Sequence, residues 1–417
     1  MKQSLLKSQE QNITVSKEKW RIVLLLALAE FLAMSLWFSA SAVTPALTNL
    51  WQLTPGDVAW LTMSVQIGFV VGAFLSALFN VADVWSPRVV FALGAFAGAL
   101  ANGLIVFVAD GLAVALILRF ITGFALAAVY PVGMKIMATW MKEDRGLGIG
   151  LLVGALVVGS ASPHLIRALG GVGDWRGVML AVSVFAIGGG IIVLWSGKLG
   201  PYRAAPAPFQ LRYLLEAFRD RGIRLANFGY FGHMFELYAF WSWVFPFLLA
   251  TYQLNNIPNA DTLASYVTFA VIGIGGLGSL LAGILADKWG RSRTTILSLA
   301  ISGFCAITIG FFFNNYPLLV TIIALIWGFA VVADSAQFST AVSELADRTY
   351  MGTALTLQTS LGFLLTLVSI RLIPILVDWV GWQWAFVLLG LGPIFGIWAM
   401  RSLSRSPDAA KLAGGRG

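Results

Sequence analysis

The stretch Ile22–Val43 reads IVLLLALAEFLAMSLWFSASAV and contains a single charged side chain, Glu30. A helix of about 20 apolar residues is long enough to cross the hydrocarbon core of a bilayer. The stretch imitates a signal peptide, because the basic segment Lys17–Arg21 precedes it and the small residues Ala40–Ala42 lie near its end, where a signal peptide has its cleavage site. We interpret the stretch as an uncleaved first membrane span, because it is long enough to cross and many similar stretches follow it.

The composition indicates that most of the chain lies in lipid. Of its 417 residues, 59% are hydrophobic and 11% are charged, whereas soluble domains carry about 25% charged residues. Apolar runs predict twelve spans, at 20–44, 58–79, 89–108, 112–137, 146–166, 176–195, 225–250, 263–286, 294–313, 318–339, 352–377 and 384–400. The predicted fold is an all-α membrane protein with 12 transmembrane helices.

Basic residues lie almost entirely on one side of these spans. With the N-terminus inside, the predicted cytoplasmic segments hold 23 of the 27 Lys and Arg residues. The others are Arg167 and Arg176 in outer loops and Arg119 and Arg371 inside spans. This positive-inside pattern predicts cytoplasmic termini and a bacterial inner membrane location. It also accounts for the net charge of +8, so we expect contact with a lipid bilayer and no nucleic acid partner.

The residue types argue against catalysis. Cys305 is the only cysteine and lies in an apolar run, which excludes disulfides and cysteine metal sites. We find no nucleophile elbow and no loop that would cradle phosphates or a nucleotide. We therefore expect a protein that is not an enzyme and holds no cofactor or metal. We also expect the protein to be a monomer.

The two halves of the chain resemble each other at a nearly constant offset. Three residues of the first half recur 206 positions later: Glu30, Ala33 and Trp37 return as Glu236, Ala239 and Trp243. Two further matches have offsets of 204 and 205: Ala82–Trp85 with Ala286–Trp289, and Gly123–Ala125 with Gly328–Ala330. A repeated offset of this kind indicates an internal duplication.

The duplication predicts how the chain is organised. We expect a six-helix bundle over 1–195, a cytoplasmic linker over 196–224, a second six-helix bundle over 225–400 and a cytoplasmic tail over 401–417. Two similar bundles related by an axis along the membrane normal enclose a cleft, and rocking one bundle on the other exposes that cleft to alternate sides.

The loop after span 8 reads GILADKWGR over residues 283–291 and resembles the signature G-x-L-A-D-[RK]-x-G-R of the major facilitator superfamily. The loop after span 2 keeps an Asp and an Arg but lacks both glycines, and Arg119–Gly123 resembles the R-x-x-x-G element of the family. The resemblance covers about residues 20–400 and implies a secondary transporter. It also implies a gating role for six loop residues: Asp83, Arg88, Gly283, Asp287, Gly290 and Arg291. The tight bend itself requires the positive φ that Gly290 allows.

Ionisable side chains inside spans are costly to insert and mark candidate sites. Glu30 and Glu236 occupy equivalent positions, and a carboxyl group in a dehydrated cleft suits proton coupling. Arg119 suits an anionic substrate because its planar fork binds oxyanions. The candidate substrate and proton residues are Glu30, Arg119, His233, Glu236, Arg371, Trp37 and Trp243. Static pairing of Glu30 with Arg119, and of Glu236 with His233 or Arg371, is the alternative; roles for Asp334 and His164 are left open.

These features predict proton-coupled uptake, by symport, of a small organic or inorganic anion. The segments Gly232–Trp243 and Pro131–Gly150 look like anion facilitators of the cyanate and nitrate kind, although spans 2 and 8 lack the arginines of nitrate porters. One alternative is proton-antiport efflux of an amphipathic compound, which the aromatic residues of span 7 would suit. Another alternative is a non-transporting membrane sensor.

Overall fold

The computed structural model describes residues 2–141, 145–202, 213, 216–347 and 349–417. Every regular element in these residues is a helix. Eleven of the described helical segments are long and apolar enough to cross a membrane, and we number them in chain order as spans 2 to 12: Pro55–Leu78, Pro87–Val108, Leu112–Trp140, Leu147–Gly170, Trp175–Ser196, Arg221–Leu254, Ala260–Trp289, Arg291–Phe312, Pro317–Leu345, Met351–Val380 and Trp382–Ser404. The prediction of an all-α membrane protein is confirmed.

The first span is broken into three helices. Its apolar run is divided among the helices Lys2–Met34, Ser39–Ala42 and Thr44–Trp51. Residues 35–38 form a turn between the first two helices. Such a break leaves main-chain carbonyl groups without their helical partners, so other groups must bind them inside the membrane.

Spans 4, 8 and 10 each consist of two helices: Leu112–Leu126 and Tyr130–Trp140, Ala260–Gly273 and Gly275–Trp289, and Pro317–Ala333 and Ser335–Leu345. In span 4, Pro131 is the second residue of the second helix. Proline has no main-chain N–H and clashes with the preceding turn, so it favours a break just before it. Span 10 breaks at Asp334, an ionisable residue.

Repeated glycines bring helices together within each half. A side chain at Gly123 in span 4 would overlap the carbonyl group of Val65 in span 2. At the equivalent place in the second half, a side chain at Gly328 in span 10 would overlap the carbonyl group of Val271 in span 8. Small residues allow helix backbones to touch in membranes, and the duplicated glycines serve this purpose in both halves.

The two halves meet along two pairs of spans, span 5 with span 8 and span 2 with span 11. Near the middle of the first pair, a Cβ atom on Gly154 would lie 3.6 Å from the carbonyl oxygen of Gly276. The centre of the predicted linker 196–224 lies outside the described residues. Its described parts include the short helix Glu216–Arg219 and the start of span 7 at Arg221.

Candidate functional site

Arg119 lies on span 4, fully buried, and points at the break in span 1. Its guanidinium donates to the carbonyl groups of Leu36, at 2.9 Å, and Trp37. It also donates to Ser39 Oγ at 2.9 Å and, through Nε, to the carbonyl group of Leu61 at 3.4 Å. Each of its nitrogen atoms therefore has a protein acceptor, and the carbonyl groups freed by the break are bound by this side chain.

Glu30 lies on the helix before this break and is fully buried. Neither carboxyl oxygen has a hydrogen-bond partner among the described residues, so the predicted static pair with Arg119 is not formed. A Cβ atom on Gly133 would lie 2.7 Å from Oε2 of Glu30, which places the carboxyl group against the second helix of span 4. Tyr130 on the same helix lies within electrostatic reach of Glu30.

Glu236 is equivalent to Glu30 in the sequence repeat but has a different environment. Its Oε2 accepts a hydrogen bond from Ser302 Oγ at 2.9 Å, and its Oε1 accepts one from Trp327 Nε1 at 2.7 Å. These contacts join span 7 to spans 9 and 10. The duplication therefore places two carboxyl groups at matching positions, one without partners and one that holds helices together.

His233 pairs with the break in span 10 instead of with Glu236. Its Nδ1 lies 2.9 Å from Asp334 Oδ1, and both side chains are 1% exposed. Its Nε2 lies 2.7 Å from Ser335 Oγ. All three residues belong to the second half, so this group braces spans 7 and 10 against each other.

Aromatic rings from both halves meet at the break in span 1. We call six residues the interface aromatic cluster: Trp37, Phe38, Phe69, Tyr238, Trp241 and Phe363. Trp37 has ring centroid distances of 5.9 Å to Tyr238 and 5.6 Å to Phe363. Phe69 lies 4.8 Å from Phe363, and Phe38 lies 5.7 Å from Trp241. A solute between the halves at this level would touch spans of both bundles.

The two predicted cleft tryptophans have different positions. Trp37 belongs to the interface aromatic cluster, and its indole N–H is buried without a partner among the described residues. Trp243 instead donates to the carbonyl group of Ile370 at 3.0 Å and packs at 6.2 Å from the ring of Trp382. Trp243 therefore joins helices within the second half.

Tyrosine hydroxyl groups border the same region. Tyr130 of the first half lies within electrostatic reach of Tyr230 and Tyr238 of the second. Sequence reasoning missed Tyr130 and Tyr230, because it selected ionisable side chains inside spans and phenols were not weighed among them. The signal was the position of Tyr130 beside Pro131, where span 4 is expected to break.

Among the described residues, the charged contacts between the halves that we find lie at one face, which we call the outer face after the orientation predicted by the basic residues. Arg167 of span 5 lies 2.6 Å from Asp261 of span 8 and donates to Ser265 Oγ at 2.6 Å. Its guanidinium also lies 4.9 Å from the ring of Phe245 in span 7. The prediction that Arg167 lies in an outer loop is wrong, because span 5 continues to Gly170. The ion pair joins the halves at this face.

Arg371 and His164 also lie toward the outer face. The guanidinium of Arg371 in span 11 packs against Gly56 at the start of span 2, with Asp57 within electrostatic reach. His164 in span 5 is fully buried, and neither ring nitrogen has a partner among the described residues. Arg371 therefore lies away from the interface aromatic cluster and beside the other pair of spans that joins the halves.

The predicted gating loop of the second half makes contacts within that half. Arg291 lies 2.8 Å from Asp287 and 3.1 Å from Glu344 of span 10. Gly290 has a φ of +99°, the conformation expected for this bend, and the carbonyl group of Arg416 packs against it. Gly283 lies half-buried in the preceding helix.

The predicted gating loop of the first half is also joined to its own bundle. Asp83 forms an ion pair with Lys135 of span 4. Lys135 also donates to the carbonyl group of Ala82 at 2.5 Å. Arg88 is exposed, and its Cβ atom lies close to Gly197 at the end of span 6. The charged contacts of both loops that we describe here do not cross between the halves, unlike those at the outer face.

Helices of the two halves that meet at a central cluster of rings, with an ion pair joining the halves at one face, are the arrangement expected of a multi-pass membrane transporter. The chain matches the family model of the Major Facilitator Superfamily over residues 26–369 and 228–417. It therefore belongs to the Major Facilitator Superfamily, a family of transporters and not of enzymes.

Curated relatives are also transporters. The chain is 30% identical over 200 residues to the proline/betaine transporter of Escherichia coli (strain K12), a match that covers 43% of this chain and 37% of that protein. It is 30% identical over 152 residues to a putative niacin/nicotinamide transporter of Bacillus subtilis (strain 168), covering 35% of this chain and 36% of the relative. The chain thus matches little more than a third of the length of these relatives.

Solved structures show the same fold. A bacterial homologue of the human lysosomal transporter Spinster, inward-facing and unoccupied, has a TM-score of 0.70 at 14% identity, covering 94% of this chain and 99% of that one. The xylose transporter XylE from E. coli, partially occluded and inward open, has a TM-score of 0.70 at 14% identity, covering 93% and 98%. At these identities the likeness concerns the fold alone.

Proposed function

We propose that the protein is a proton-coupled symporter of a small organic solute, which binds at the interface aromatic cluster. The observation that carries this proposal is the meeting of Trp37 and Phe69 from one half with Tyr238 and Phe363 from the other. A solute bound there would contact both bundles, so its binding would be linked to their relative movement. The relatives named for proline, betaine and niacin also favour a small organic solute.

The arrangement gives less support to the anionic substrate that the sequence predicts. A buried anion that has no positive end of its own needs a cation as its partner. Arg119 was the expected partner, but its donors are bound to the main chain at the break in span 1. Arg371 packs near Gly56 at the outer face. We therefore propose a solute without net negative charge.

Glu30 is the proposed proton carrier. As a charged carboxylate it would stand in a dehydrated pocket without a partner, which costs several kcal/mol. The neutral, protonated carboxyl group suits this pocket, and water entering from one side would allow the proton to leave. Glu236, with donors on both oxygens, is better suited to bracing its bundle.

Transport in proteoliposomes tests the proposal. Radiolabelled proline, glycine betaine and nicotinamide are offered with and without an imposed proton gradient, to the wild type, Glu30→Gln and Glu236→Gln. We expect gradient-driven accumulation to be lost in Glu30→Gln, while counterflow exchange of the same solute persists because it needs no net proton movement. Glu236→Gln is the matched control and should still accumulate solute. Uphill accumulation by Glu30→Gln at the wild-type level would remove Glu30 from the coupling role.

A further inference from the structure

We infer that the interface aromatic cluster selects a compact zwitterion whose positive end is a fully alkylated ammonium group. This inference rests on the proposed function, because it assigns a chemical class to the solute of the same site. It follows from two properties of the cluster, the π faces available to a cation and the N–H donors available to a carboxylate.

The ring faces supply the site for the positive end. Tyr238 and Phe363 lie 5.0 Å apart and keep 6% and 7% of their surface exposed. Trp37 packs behind both rings and is 2% exposed. A cation bound against these two rings would lie within the distance of about 6 Å at which aromatic rings attract cations.

The same faces discriminate between kinds of ammonium group. A primary ammonium has three N–H donors, and π faces do not replace the water oxygens that these donors lose on burial. A trimethylated ammonium has no N–H donor, so it loses no hydrogen bond when it leaves water. Its charge is spread over methyl groups that pack against aromatic rings. The cluster therefore favours alkylated over primary ammonium groups.

Unpartnered donors supply the site for the negative end. The indole N–H groups of Trp37 and Trp241 and the side-chain amide of Gln66 are buried without hydrogen-bond partners in the described part of the chain. Gln66 shares a face of span 2 with Thr62 and Phe69, which are four residues before it and three after it. Both of these neighbours contact span 1. Buried donors without partners are costly, and a carboxylate would accept from them.

A set of isosteric probes tests the inference by binding to the purified full-length protein in lipid nanodiscs. Glycine betaine has both charges. Its isostere tert-butylacetate keeps the shape and the carboxylate but lacks the positive charge, and choline keeps the quaternary ammonium group but lacks the carboxylate. Glycine keeps the carboxylate and has a primary ammonium group. Tryptophan fluorescence and calorimetry report binding. We expect glycine betaine to bind at least ~10-fold more tightly than tert-butylacetate, and also more tightly than choline and glycine.

Two substitutions separate the two ends of the site. Trp37→Phe keeps a ring but removes the N–H donor, so it should weaken glycine betaine while leaving choline unchanged. Trp37→Leu removes the ring and should weaken both probes. Trp243→Phe, a buried tryptophan outside the cluster, is the control and should change neither affinity. Thermal unfolding of each variant establishes that the protein tested is folded.

The outcomes distinguish this inference from the proposed function. Binding of tert-butylacetate as tight as that of glycine betaine would overturn the zwitterion class, as would the absence of glycine betaine binding to folded wild-type protein. Proton-driven transport of nicotinamide, a neutral solute, by such a protein would leave the proposed function standing. Conversely, tight glycine betaine binding without any proton-coupled accumulation would support the class and refute symport.

Discussion

The ion pair at the outer face yields a prediction that can be worked through in numbers. Asp261→Asn keeps the size of the side chain and removes the charge that faces Arg167. The side chain of Arg167 is 2% exposed and that of Asp261 is 35% exposed. Removing one partner of a buried pair costs about 3–5 kcal/mol, whereas an exposed pair contributes about 0–1 kcal/mol. For this half-exposed pair we expect a loss of ~2 kcal/mol from the state with the outer side closed.

That loss shifts the equilibrium between the two states by ~30-fold toward opening of the outer side. The shift is measured by labelling a cysteine placed at Thr268, which is fully buried on the same helix as Asp261. The native Cys305 is replaced by Ala, and a membrane-impermeant maleimide is added from outside. We expect Thr268→Cys to be labelled many times faster in the Asp261→Asn background. Arg176→Gln, at another arginine of the outer face, should leave the rate unchanged. Equal labelling rates with and without the Asp261→Asn substitution would refute the reasoning.

Three further substitutions test the architecture by thermal unfolding in detergent. Arg119→Met should lower the melting temperature, because it leaves carbonyl groups at the span 1 break without donors, which costs about 1–3 kcal/mol for each group. Arg119→Lys should restore the melting temperature only partly, since an ammonium group lacks the planar fork of a guanidinium. Full stability of both variants would contradict this role of Arg119. Glu236→Leu should lower the melting temperature by leaving two buried donors unpaired, and an unchanged value would contradict the bracing role. Gly123→Val should prevent folding, because the new side chain would overlap the carbonyl group of Val65. Gly111→Val is the control and should fold, because the space around Gly111 is open. Similar yields of folded protein from both variants would contradict the backbone contact.

The membrane spans could be predicted because lipid imposes length and hydrophobicity on every crossing segment. The duplication could also be predicted, and the repeated Gly123 and Gly328 have the same packing role in both halves. The positive φ of Gly290 followed from the needs of a tight bend. These features depend on local sequence or on the repeat, which are visible without coordinates.

The partners of the buried charges could not be predicted in the same way. They depend on the rotation of each helix and on the break in span 1, which carries no local signal. The turn at residues 35–38 contains neither proline nor glycine, yet it supplies the carbonyl groups that bind Arg119. The apolar run predicts that span 5 ends at residue 166, but the helix Arg145–Gly170 continues through Pro163 and carries Arg167 to the interface between the halves.

The central claim is that solute binding between the halves is linked to a proton on Glu30. Calorimetry of glycine betaine binding in buffers with different ionisation enthalpies measures the protons taken up with the solute. We expect linked uptake in the wild type and in Glu236→Gln, and none in Glu30→Gln. The same proton uptake in Glu30→Gln as in the wild type would contradict the claim.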